Sequence, residues 1–333
     1  MQTKTVKIVG CGLAGVTAAA ILKEKGYRTI IFENRSHIGG NCYDCNVNGV
    51  MLHNYGPHIF HTNNDEAFNF LSNYTEWIPF EVKPKGKTKL GTISLPYSKK
   101  TRKELGRDLT FEELADLIYK DYSEKQWGIP YEDLPKSIIS KLPNTSDLED
   151  PTWFGTQKHQ CIPKKGYTAM FENMLDGIEV KLNCSKNDWI DYPADLTIYT
   201  GRIDEYFKFC FGKLPYRSLK FKHEVTSEKM PHFLENSNTH ENQYTRKYDH
   251  SYFTPGHNGI TVITEEYPIT CGDNDIPYYP LSFNGGPEMY QKYKELAQQE
   301  KDVIFTGTLS TYAYLDMALV VGQVLSKIKN VTL

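Results

Sequence analysis

The chain has 333 residues, 39% apolar and 24% charged, with a net charge of −3. That length supports two or three units around a sizeable core. The slight acidity argues against a general nucleic-acid binder, and no apolar run approaches the roughly 20 residues of a membrane span.

MQTKTVKIVG runs straight into a strand, so no signal peptide is expected. Seven cysteines in such a chain read as reduced thiols of a cytoplasmic protein. Residues 5–9, TVKIV, form a short buried strand. Gly10-Cys11-Gly12-Leu13-Ala14-Gly15 follows, then a helix from Val16 to Lys25 that Gly26 stops. A second strand, Arg28 to Phe32, ends in Glu33, which follows Gly15 by 18 residues. Strand, G-x-G-x-x-G, helix, strand and acid together make a dinucleotide fingerprint. Gly10 makes the tight turn, Gly12 admits a pyrophosphate, and Gly15 lets the helix pack on the strand. The helix N-terminus faces the phosphates, and Glu33 takes the ribose hydroxyls. Arg35 and the pair Gly39-Gly40, separated by three residues, resemble the arginine and glycine-pair extension of FAD proteins, with Asn34 and Asn41 beside them. Cys42 and Cys45 form a C-x-x-C, but no second ligand pair with zinc spacing follows.

HNYGPHIFHT, residues 53–62, places His58 and His61 around turn chemistry and fits neither a strand nor an amphipathic helix. Asp65 opens a helix that leads into a strand. Residues 83–100 read as a lysine-rich hairpin. Thr110 and Glu113 form a capping box, behind which Phe111, Leu114, Leu117, Ile118 and Tyr122 repeat at helical spacing as far as Trp127 and Gly128. A short helix closes at Pro143. Residues 144–163 lack periodicity and read as a long functional loop carrying Trp153 and Phe154. A helix at 166–176 and strands at 178–182 and 196–199 come next. Strand-like segments run from 216 to 270. The end comprises a helix at 287–299 with proline in its first turn, a strand, a glycine turn, and a long helix from Asp316. Tyrosine is abundant, at 23 residues, which suits stacking platforms and tyrosine-rich cores alike.

In order, YGPHIFHT, YSEKQWG, YTGRID, YRSLKF, YTR, DHSYF, EYP, NDIPYYP and TYAYLDM span nearly the whole chain. Their succession after the fingerprint resembles the bacterial-type UDP-galactopyranose mutase family of flavoenzymes. The resemblance implies an α/β fold: a glutathione-reductase-type FAD domain, a small helical domain and an antiparallel sheet domain. The expected division is FAD domain 1–83, 166–205 and 301–333; helical domain with a mobile loop, 84–165; and sheet domain 206–300. It implies an isomerase, active with reduced FAD, that interconverts UDP-galactopyranose and UDP-galactofuranose through a covalent flavin–sugar adduct, for surface glycans. The cofactor supplies the nucleophile, so no metal is required.

The implied roles fall on particular residues. His58 and His61 lie beside the flavin, with Ile59 between them. Arg246 grips the diphosphate, a task suited to a guanidinium fork. Tyr122 and Trp127 belong to the uridine pocket, and Tyr279 and Tyr314 bond the phosphates. Asp316 and Met317 start the last helix, whose dipole favours anionic reduced flavin. Trp153 and Phe154 are expected to close inward with the loop. Two family arginines are absent, replaced at Asn144-Thr145 and at Thr308. Lys158 or His159, and less so Lys164, Lys165 and Arg202, are the expected replacements. The segment between LPYS and TFEEL is short, so the helical domain is trimmed and the family's homodimer contact is left open. Alternatives are the same chemistry on an N-acetylated or pentose nucleotide sugar, an FAD oxidoreductase, or a non-catalytic nucleotide-sugar binder.

Overall fold

A computed structural model describes residues 3–139, 145–257 and 259–333. Thr5–Val9 lies at the centre of a five-stranded sheet. Arg28–Phe32 and Glu179–Lys181 lie on one side of it, and Leu196–Tyr199 and Val303–Phe305 on the other. All four pairings are parallel. TVKIV and RTIIF are buried beyond their first residues, Lys7 and Thr29 included, because helices or aromatics cover both faces. Helices Leu13–Glu24, Tyr167–Met174 and Met317–Ile328 share one core with the sheet. Trp189 and Tyr199 build the other core with Phe32. The chain crosses from one flank to the other around Thr5–Val9, and parallel sheets bind ligands at such a switch point, beyond the strand C-termini.

A seven-stranded sheet runs in the order Tyr279–Pro280, Tyr216–Thr226, Thr261–Thr270, Arg246–Asp249, Leu234–Ser237, Lys85–Thr88 and Gly91–Ser94. It is antiparallel apart from the pairing of Leu234–Ser237 with Lys85–Thr88. The lysine-rich hairpin is thus the edge of this sheet. Its inner residues Ile93, Leu95 and Tyr97 pack against Leu114, Leu117 and Ile118 of the helical segment. That segment starts at the Thr110–Glu113 capping box, passes through a π-helical turn at Ala115–Tyr119, and ends at Trp127, where Gly128 has φ 73°.

The structure corrects the loop expected at 144–163. His159–Pro163 is the middle strand of a three-stranded sheet, between Phe60–Thr62 and Trp77–Pro79. HQCIP is too short for a period to show, and its strand conformation is fixed by backbone pairing on both edges. Asn144 lies outside the described residues. Cys42 is buried, and burial pushes its thiol up to about 12. Burial raises the Cys45 thiol too. Both are unpaired, so C-x-x-C is packing here, not a redox pair. No helix among the described residues is long and apolar enough to cross a membrane.

Candidate functional site

Between the two large sheets lies a cleft of about 1000 Å³. One wall is the glycine-rich turn. The helix Leu13–Glu24 begins there with no side-chain cap and no acid in its first turn, so its N-terminal N–H groups stay available. Two glycines are required for close approach. A Cβ on Gly15 would meet Gly10 O at 2.0 Å, and one on Gly40 would meet Gly12 Cα at 2.9 Å. The Gly39-Gly40 pair therefore packs directly on the fingerprint, and Gly39 N–H donates to Cys11 O at 2.8 Å.

Glu33, 4% exposed, is held by the Cys11 and Arg35 N–H groups at 2.6 and 2.9 Å. Arg35 donates Nη2 to Asn41 Oδ1 at 2.9 Å and lies 4.7 Å over the Tyr55 ring, while its Nη1 is buried with no partner. An orphaned guanidinium donor in a glycine cradle beside a helix N-terminus fits a dinucleotide diphosphate. Gly10, Gly12, Leu13, Ala14, Asn34, Gly39, Gly40, Asn41 and Ile59 line the cleft. Gly15 acts behind them, in the helix–strand contact. Asp316, Met317, Thr308 and Tyr314 close this end. Asp316 caps its helix by accepting from Leu319 N–H at 2.8 Å.

Arg246 and Glu266 on the opposite wall belong to one row across five strands. Register pairs place Phe221 beside Glu266, Glu266 beside Arg246, Arg246 beside Asn236, and Asn236 beside Gly86. Arg246 donates Nε and Nη2 to Glu266 Oε1 at 2.9 and 2.6 Å, and Nη2 also to Tyr279 Oη at 3.2 Å. Burial works against the Arg246 charge, but Glu266 outweighs it and holds the guanidinium charged, well above its ordinary range. The Tyr279 ring lies 5.5 Å from Tyr314 and 6.3 Å from Trp127. Burial raises the Tyr122 phenol, whose charged neighbours are Arg246 and Glu266. Arg246, Tyr279 and Tyr314 line the cleft, with Trp127 against Tyr279 and Tyr122 near Arg246 and Glu266. Tyr122 and Trp127, the expected uridine pair, adjoin this group but are not among the lining residues.

The histidine turn bridges the walls. Gly56 lies over Phe221 and Glu266. His58 donates Nδ1–H to Gly56 O at 2.8 Å, which leaves Nε2 as its acceptor. Burial lowers its pKa, so the ring is neutral. Its backbone N–H donates to His53 Nδ1 at 3.1 Å, and the His53 N–H donates to His250 Nδ1 at 3.2 Å. His61 pairs with Gln157 Oε1 at 2.8 Å and stacks on Phe154 with ring centroids 3.7 Å apart. Trp153 and Phe154 also line the cleft.

Four of the five basic residues expected to replace a missing arginine do not line the cleft. Lys158 and His159 both bind Asp65, at 2.7 Å each, and His159 stacks on Phe68. Lys164 pairs with Glu76 at 2.6 Å. Lys165 lines a separate small hollow beside Asp44. Of the five, Arg202 alone lines the cleft, and buried Asp204 holds it at 2.7 Å. Glu266, Asn236 and His53 were not singled out from the sequence. Period-two burial in TVITEEYPIT could have marked Glu266 as inward, with Val262 and Thr264. No local signal marks Asn236, whose neighbour Arg246 comes from another strand.

A family model described as UDP-galactopyranose mutase matches residues 117–314, and one for an NAD(P)-binding Rossmann-like domain matches residues 8–74. A Klebsiella pneumoniae protein named "Probable UDP-galactopyranose mutase" is 34% identical, covering 98% of this chain and 94% of its own. The dTDP-fucopyranose mutase of Escherichia coli is 31% identical, covering 96% of each chain. A crystal structure of reduced UDP-galactopyranose mutase superposes with a TM-score of 0.74 at 15% identity, over 99% of this chain and 96% of that one. At that identity the likeness concerns the fold.

Proposed function

The chain belongs to the UDP-galactopyranose mutase family of flavin-dependent isomerases, and from that premise we propose that it interconverts UDP-galactopyranose and UDP-galactofuranose. The observation that carries this is the Arg246 fork, with Tyr279 in hydrogen-bond reach, facing a dinucleotide cradle across a single cleft. Bound there in its reduced form, FAD supplies the nucleophile toward the anomeric carbon. The protein's own groups do the rest. Arg246 takes diphosphate oxygens and, with Tyr279 and Tyr314, holds the departing UDP close enough to return. Tyr122 and Trp127 hold the uridine. His58 presents an acceptor Nε2 at the turn between cofactor and sugar, where it can hold a sugar hydroxyl proton. His61, Phe154 and Trp153 wall the sugar from water, limiting hydrolysis during ring opening.

A second reading has a specific support. The relative named dTDP-fucopyranose mutase is nearly as similar as the galactose-named one, so the same chemistry on a dTDP-sugar is the competing assignment. On either reading the protein works in the cytoplasm and the chain divides near residues 205 and 300. The divisions expected at 83 and 165 cut across paired strands, since residues 85–94 join the seven-stranded sheet and His159–Pro163 pairs with Phe60–Thr62 and Trp77–Pro79. Limited proteolysis of the flavin-bound protein tests those boundaries. For the activity, dithionite-reduced protein is incubated with UDP-galactofuranose or dTDP-fucose and the products are separated by chromatography. UDP-galactopyranose should accumulate only with reduced flavin. Equal turnover with oxidised flavin removes the mechanism, and a preference for dTDP-fucose transfers the assignment to the second reading.

A further inference from the structure

Lys125 lies on the helix Lys120–Trp127, between the two aromatic residues assigned to the nucleotide. Its ammonium nitrogen sits in a cage of oxygens. Nζ donates to the carbonyls of Ser237, Thr239, Asn242 and Tyr244 at 2.9, 2.8, 3.0 and 3.0 Å, and to Ser237 Oγ at 3.1 Å. These oxygens come from Ser237, the last residue of the strand Leu234–Ser237, and from the connection that runs on to Arg246–Asp249. An ammonium has three donors, so the oxygens share them. Rings of uncharged carbonyl oxygens are also the donor set of potassium sites. Arg217 grips the same helix independently, donating Nε to Gln126 O at 2.9 Å, Nη2 to Lys125 O at 3.0 Å and Nη1 to Thr270 Oγ1 at 3.1 Å. The helix therefore keeps an anchor on the sheet without Lys125, whereas the 237–244 connection would lose the cation at its centre.

We propose that the Lys125 ammonium is a built-in monovalent cation. It ties the helix bearing Tyr122 and Trp127 to the hairpin bearing Asn236 and Arg246, and its removal leaves a site that potassium or a small alkylammonium ion fills. This rests on the reading of those side chains as the nucleotide site. Lys125 is a positioning residue on this account, so its loss acts on nucleotide affinity and not on the sugar chemistry beside His58.

The test uses flavin-bound Lys125→Ala. UDP affinity is measured by tryptophan-fluorescence titration, and KM and kcat with reduced enzyme. Sodium, potassium and ethylammonium chlorides are compared at equal ionic strength. The expected result in sodium is a UDP Kd and a KM raised about tenfold, with kcat within about twofold. Potassium or ethylammonium should restore affinity, and the flavin spectrum should not change. Unaltered affinity in sodium, or a loss that neither cation repairs, overturns the proposal. If Lys125→Ala does not hold flavin, Lys125→Met fills the space instead: UDP binding weakened and insensitive to cations supports the tether, and normal binding overturns it. Trp127→Ala and Arg246→Ala run alongside. If both bind UDP normally, the reading of the site fails; if both weaken and Lys125→Ala does not, the tether alone fails.

Discussion

Arg246 and Glu266 stand opposite each other on adjacent antiparallel strands, and both Nε and Nη2 of the arginine reach the same carboxylate oxygen, Oε1. Side-on pairing fixes the plane of the guanidinium while Nη1 stays outside the pair. Glu266 is 1% exposed, and a carboxylate so buried is costly without its partner. The pair therefore fixes the orientation of the guanidinium, which under the proposed function sets the direction in which a diphosphate is met, and it also makes each member structurally dependent on the other.

Arg246→Ala is expected to lower kcat/KM at least tenfold, since a charge-assisted contact contributes about 1.5–3 kcal/mol and about 1.4 kcal/mol corresponds to a factor of ten. Arg246→Lys keeps the charge but loses the fork, and should fall between the two. Steady-state kinetics on flavin-replete protein decide the point. A change below about threefold would place the diphosphate elsewhere.

Lys158→Ala and His159→Ala should leave turnover within about twofold. Both side chains are committed to Asp65, away from the cleft. The exposed Lys158–Asp65 pair is of a kind that contributes about 0.2–1 kcal/mol, so Lys158→Ala should shift melting only slightly, whereas His159, 14% exposed and stacked on Phe68, should shift it more. A loss of activity matching that of Arg246→Ala would mean that one of them leaves Asp65 for the substrate.

Gly15→Ala should yield protein depleted of flavin. The added methyl would collide with Gly10 O, and relief requires the helix to move off the strand or the phosphate turn to open. The ratio of flavin to protein absorbance after purification is the readout. Full flavin content in this variant contradicts the packing described.

The histidine column makes stability depend on pH. Burial holds His53 well below its ordinary pKa of 6.5, lowers His58, and takes His250 to about 3. Below 6.5 the unfolded chain binds protons that the folded state refuses. Stability is therefore full above that value and is lost as pH falls, for His250 down to about 3. Each such histidine contributes a slope of up to about 1.4 kcal/mol per pH unit. Urea unfolding between pH 7.5 and 5 should show falling stability, and His250→Gln should flatten the slope. An unchanged slope in that variant would show that His250 does not carry it.

The nucleotide-binding half was legible because its chemistry is local. The turn from Gly10 to Gly15, the strand Arg28–Phe32 and Glu33 lie within a single βαβ unit, where glycine spacing and apolar runs directly encode backbone geometry. The capping box at Thr110 and the stop at Gly128 were readable for the same reason. Family resemblance added Arg246, Tyr279 and Tyr314, which no period or spacing singles out.

What the sequence by itself determined is the cofactor cradle and the order of elements, since both depend on residues a few positions apart. Tertiary structure alone decided the opposite wall. Asn236, Arg246 and Glu266 form a row only because register sets three strands side by side. HQCIP is a strand only because two distant segments pair with its edges. Lys158 and His159 looked like phosphate ligands from their charge and position, whereas folding brings Asp65 within 2.7 Å of both. Contacts between residues far apart in the chain leave no local pattern, so the partner a basic side chain takes is decided by what the fold places beside it.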